Sequence, residues 1–132
     1  MKVAVISFSF KRGIPDDPTG NGGGFVFDCR ALNNPGKYEH YRQFTGLDQE
    51  VVKFLEDDGG VVKFLDNVYS LVDNHVKCFI ERKFTHMQVS FGCTGGQHRS
   101  VYCAERLAAH LSERFDIKIT LSHRELDIER IL

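Results

Sequence analysis

The sequence predicts a single-domain α/β fold, a mainly parallel sheet with helices packed on its faces. Three observations point there: short apolar runs of strand length, longer stretches with helical periodicity alternating with them, and a length of 132 residues, enough for one core but not two. Hydrophobic residues at 42% and charged residues at 27% are ordinary for a packed domain.

The elements follow in order. Lys2 to Phe8 reads as a strand, because the uninterrupted run Val3-Ala4-Val5-Ile6 suits a position covered on both sides. From Lys11 to Gly24 there is no periodicity, and the glycines and prolines there predict a mobile loop over 11–24. Phe25 to Arg30 alternates as a second strand and ends in the turn Asn33-Asn34-Pro35-Gly36. Asp48 is placed to cap a short helix through Asp57, which Gly59-Gly60 breaks. Val61, Leu65, Val68, Val72, Val76 and Phe79 then recur at helical steps, predicting a longer helix that ends near Lys83. Met87, Val89 and Phe91 alternate with Gln88 and Ser90 as a strand, and Val101, Ala104, Ala108, Leu111 and Phe115 stripe the next helix. Ile117 to Leu121 is the last predicted strand and leads into Ser122-His123-Arg124.

Composition bounds the function. A formal net charge of −1 gives no global reason to bind nucleic acid, so RNA binding would need a local basic patch. The apolar start is too short for a signal-peptide core or a membrane span, which predicts a cytoplasmic protein. Cys29, Cys78, Cys93 and Cys103 form no CxxC pair and have no histidine at zinc-like spacing, so free thiols are expected, with three of them in the core and no metal or cofactor. His75, His86 and His110 do not cluster and read as surface residues.

The chemistry concentrates in Gly92-Cys93-Thr94-Gly95-Gly96-Gln97-His98-Arg99-Ser100, between a buried strand and a helix. In a parallel sheet such a turn lies at the carboxyl end of the strand, where helix amides are unpaired and the local potential is positive. Gly95 and Gly96 let the backbone curl around an anion, Thr94 and Ser100 add hydroxyls, Arg99 adds a guanidinium fork and His98 a titratable donor. A phosphorylated small molecule is the ligand these residue types predict. Lys11 and Arg12 on the glycine-bounded loop, Arg30 beyond the second strand, and His123 and Arg124 after the last are expected to contribute from the same sheet edge. For Arg30, a pair with a carboxylate is an equal alternative. The same stretch is also Cys-x5-Arg-Ser, the spacing of cysteine-dependent phosphatases, in which Cys93 would attack phosphorus and Arg99 would hold its oxygens. It lacks the histidine that usually precedes that cysteine, and no Trp-Pro-Asp-like segment supplies a general acid.

Gly92 to Tyr102 resembles the signature of the C-terminal domain of the RNase adapter RapZ. Ser9-Phe10-Lys11-Arg12-Gly13-Ile14-Pro15, Phe25 to Arg30, Asn34-Pro35, Thr45-Gly46-Leu47-Asp48 and His123-Arg124 recur in that family's order, so the resemblance covers nearly all of residues 1–132. It implies an α/β sensor domain for glucosamine-6-phosphate, with Thr94, Gly95, Gly96, His98 and Arg99 forming the phosphosugar pocket. It also implies small-RNA or protein partners and a possible homo-oligomer. The full-length proteins of the family carry a nucleotide-binding domain with a phosphate loop, and this chain has no Gly-x4-Gly-Lys-Ser/Thr sequence, so nucleotide hydrolysis is not implied. Arg12 stands where the family pattern has histidine, and the chain ends in an acidic stretch where RNA-binding members have a basic tail.

Overall fold

Strand β1 (Lys2–Ser9) forms the middle of the molecule because its side chains find cover in both directions, with Val3 and Val5 wholly buried and Ser7, Phe8 and Ser9 buried at its end. The computed structural model describes residues 1–132. β1 is followed by a single 3-10 turn (Phe10–Arg12), β2 (Gly24–Asp28), two further 3-10 turns (Pro35–Lys37 and Glu39–Tyr41), α1 (Gln49–Asp58) and α2 (Gly60–Glu81). Then come β3 (His86–Cys93), α3 (Arg99–Arg114), β4 (Lys118–His123) and β5 (Ile128–Ile131). The sheet has the order β2-β3-β1-β4-β5; its first four strands are parallel and β5 pairs antiparallel to β4. The α/β class and the mainly parallel sheet are therefore as the sequence predicts.

Register explains the core. Val3 lies between Met87 and Ile119, and Val5 between Val89 and Leu121, so one face of three adjacent strands is a continuous apolar layer. α3 packs across β1, β3 and β4, burying Val101, Ala104, Leu107, Ala108 and Leu111. α2 packs on α3 with the predicted stripe of Val61, Leu65, Val68, Val72 and Val76, and α1 packs on α2. Gly59 takes a left-handed conformation (φ 81°) that stops α1 and starts α2, which is why a glycine pair breaks the two helices.

Several local expectations change. β3 is buried on both faces, Gln88 and Ser90 included, because α3 packs on it and the segment from Ile14 to Gly24 lies beside Gln88. β5 was not expected: Ile128, half-buried, and Ile131, exposed, are separated by charged residues on an edge, so they carry no strong strand pattern. Asp48 does cap α1 by position, but its carboxylate accepts from the Thr45 amide (2.8 Å) rather than from the helix. His86 is nearly buried, and His110 stacks on Tyr69 (ring centroids 4.0 Å apart) while bonding Asp73, so of the three histidines read as surface residues only His75 is exposed. Cys29, Cys93 and Cys103 are buried and Cys78 partly so, all as free thiols. No helix is long and apolar enough to cross a membrane.

Candidate functional site

β3 delivers the chain at Cys93, and α3 takes it up at Arg99. Between them three of the five carbonyls are tied down. Thr94 C=O accepts from Ser9 Oγ (2.6 Å), Gln97 C=O from the Gly46 amide (2.8 Å), and His98 C=O from the Tyr102 amide (3.0 Å). The amides are not: none of the backbone N–H groups from Thr94 to Val101 donates a hydrogen bond within the chain, and His98 caps α3 without a side-chain bond. Such donors, like the first amides of any helix, are met by water or by an outside acceptor. Anchored carbonyls and open amides at the positive end of a 16-residue helix are the geometry that attracts an anion.

Glycines make this path available. Gly96 has φ 71°, and a Cβ there would lie 2.5 Å from Glu125 Cγ and 2.8 Å from the Ser9 nitrogen. Gly46 packs so closely behind the loop that a Cβ would overlap the His98 carbonyl and lie 2.6 Å from the Tyr102 nitrogen. A Cβ on Gly92 would strike Phe8 and Phe10 at 2.5 Å. The sequence motifs contain Gly46 and Gly92 but do not reveal why a glycine is needed there, because that depends on what lies across from them.

Arg99 is 96% buried, and its Nη1 donates to the carbonyls of Arg30 (2.9 Å) and Leu32 (3.0 Å). Its Nε has no partner. With Thr94, Arg30, Asn33, Asn34 and Lys37 it lines an open cleft of about 640 Å³ beside the loop. His98 is half-buried, with Nε2 3.2 Å from the Tyr41 carbonyl. Cys93 is 2% exposed and its thiol donates to Ser100 Oγ (3.1 Å), so these two face each other inside rather than the cleft. Thr94 and Gly95 are exposed at the rim.

The flanking residues divide. Arg30 forms a bidentate pair with Asp28 (2.7 Å at the shortest) and lies 3.9 Å over the Phe10 ring; its bond holds the Asp28 carboxyl below the usual carboxylate range. His123 is wholly buried, with Nδ1 2.7 Å from Ser7 Oγ and Nε2 2.6 Å from Glu105, so both ring nitrogens are occupied and neither faces open surface. Arg124 donates to the Gly13 carbonyl (2.6 Å) and to Glu125, and Arg12 also donates to Glu125 (2.9 Å), while Lys11 extends exposed. Sequence reasoning missed Glu125, which reads as one more charge in an acidic stretch but is 93% buried in its side chain beside Gly96. A second cavity, about 710 Å³, lies at the opposite end of the sheet among Phe25, His75, Phe79 and Phe84, and shares no residue with the loop.

Known proteins are similar to this sequence. The family model described as the RapZ C-terminal domain matches residues 1–127. A nucleotide-binding protein of Thioalkalivibrio sulfidiphilus is 42% identical over 120 residues, covering 91% of this chain and 40% of its own length. Counterparts of the same description from Methylococcus capsulatus and Fervidobacterium nodosum are 41% and 39% identical, each covering 96% of this chain and 41% and 43% of their own. The chain thus spans about two-fifths of the length of these relatives. A match over nearly every residue, with the Gly92–Tyr102 loop inside it, is decisive: the chain belongs to the RapZ C-terminal domain family.

Proposed function

We propose that this domain is a RapZ-related binding and adapter module whose Thr94–Val101 loop binds a phosphorylated metabolite, an amino-sugar phosphate of the glucosamine-6-phosphate type. The observation that carries the reading is the run of undonated amides over anchored carbonyls at the start of α3, next to the cleft that Arg99 lines. Backbone amides and Thr94 take the phosphate oxygens, the Arg99 guanidinium supplies the charge, and the cleft toward Asn33, Asn34 and Lys37 takes the sugar ring. The polar cleft suits hydroxyl and amino groups more than an apolar ring. Occupancy of the loop then alters the surface offered to a partner.

Binding without turnover accords with Cys93, which is buried at the foot of the loop with Ser100 as its contact, whereas nucleophilic attack requires a thiolate open to the phosphorus. The test is a thermal titration. Glucosamine-6-phosphate is expected to raise Tm as RT ln(1 + [L]/Kd), glucosamine to do nothing, and Arg99→Ala to abolish the rise. Absence of binding by any phosphate ester at millimolar concentration would refute the reading.

A further inference from the structure

One charged cluster beside the loop has no role in the binding just described. Ser9 N–H (3.2 Å) and Arg124 Nε (3.2 Å) donate to Glu125 Oε2, and Arg12 Nη1 donates to Oε1 (2.9 Å). An amide and two guanidinium groups converging on one point are what a second phosphate group would seek. Here the chain's own carboxylate occupies them. It does so directly against the loop, since the Glu125 side chain fills the space that a Cβ on Gly96 would need.

We infer that Glu125 is the specificity-determining residue of this loop: a resident anion that restricts the site to ligands ending in one phosphate group and rejects those with a second phosphate adjoining the first. The inference rests on the loop being a phosphate site. Its physical basis is pairwise. Any phosphate reaching past Gly96 toward β1 meets a negative charge whose cationic partners are already engaged, and like charges in a desolvated site repel strongly. Moving Glu125 aside breaks its bonds to the Ser9 amide and both arginines. Arg124 is held further by the Gly13 carbonyl, so the cluster does not rearrange at one atom alone. Burial raises the Glu125 carboxyl, but the amide and the arginines more than offset that and hold it below the ordinary range, so the charge persists through neutral pH. A phosphomonoester, with its phosphate over the amides and its organic part toward Asn34, stays clear of it.

Calorimetric titration with inorganic phosphate and pyrophosphate tests this on the wild type, Glu125→Gln, Arg99→Ala and the double variant Glu125→Gln/Arg12→Ala. The wild type is expected to bind pyrophosphate no more tightly than phosphate. Glu125→Gln should gain about tenfold or more for pyrophosphate while phosphate changes little, and the double variant should lose most of that gain. A wild type that already prefers pyrophosphate by that margin overturns the inference even if Glu125→Gln fails to fold. Equal gains for both anions in Glu125→Gln, or none, also overturn it. The two failures are separable: phosphate binding that depends on Arg99 without a pyrophosphate gain sinks only the role of Glu125, whereas binding of neither anion, or binding indifferent to Arg99, sinks the loop reading and the inference with it.

Discussion

Gly95 and Gly96 are neighbours of the same type, yet they should respond very differently to the same change. At Gly96 an alanine meets two costs. Its backbone has φ 71°, where a residue with a Cβ loses about 1–2 kcal/mol. Its Cβ would also lie 2.8 Å from the Ser9 nitrogen and 2.9 Å from the Phe8 carbonyl carbon, backbone atoms of the central strand that cannot swing away, at about 1–3 kcal/mol for overpacking. The sum is roughly 2–5 kcal/mol, a large part of the ~5–15 kcal/mol that holds a domain together. Gly95 has neither cost, since nothing lies within 4 Å of its Cβ and its φ is not positive. Gly95→Ala should be within about 0.5 kcal/mol of wild type, whereas Gly96→Ala should lower Tm by roughly 10 °C. Thermal denaturation followed by circular dichroism reads this, and phosphate titration of each folded variant shows affinity kept at Gly95 and lost at Gly96. Equal stability of the two variants would refute the argued path of the loop.

His123→Ala should cost about 2–4 kcal/mol by opening a cavity and leaving the buried Ser7 hydroxyl without its partner and Glu105 with Arg130 alone, yet leave phosphate affinity unchanged; a loss of affinity in the folded variant would show ligand contact instead. Asp17 is held at a pKa of about 2, chiefly by the Thr19 hydroxyl and then by the Gly23 and Thr19 amides. Because the folded value lies below the ordinary 3.8, its contribution is complete above about pH 4 and is lost as pH falls toward 2. The Tm gap between wild type and Asp17→Asn should close over that window, and a gap independent of pH would contradict the role given to the carboxylate. Cys93→Ser should keep phosphate affinity, and neither form should hydrolyse an aryl phosphate; turnover lost in Cys93→Ser but retained in Cys103→Ser would make the chain a phosphatase.

Periodicity made the helices and parallel strands legible, because Val61 to Val76 and Val101 to Leu111 each present one apolar face to a neighbour. β5 was hidden because its pairing is decided by β4 across a turn rather than by its own residues. The loop could be read locally, since its glycines and Arg99 are adjacent in sequence. The roles of His123, Arg124 and Glu125 depend on contacts with Ser7, Ser9 and Gly13 more than a hundred residues away, and no local pattern encodes those. Charge type alone placed His123 at the correct sheet edge but not on the correct side of the surface.

The central claim is that the amides from Thr94 to Val101 receive a phosphate. Two-dimensional ¹⁵N–¹H NMR of the wild type, titrated with glucosamine-6-phosphate, observes those amides directly. Saturable shifts concentrated at Thr94–Val101, with smaller ones at Asn33 and Asn34 and none with glucosamine, are the expected result. Shifts confined to Phe25, Phe79 and Phe84 at the other end of the sheet, or none at millimolar ligand, would contradict it.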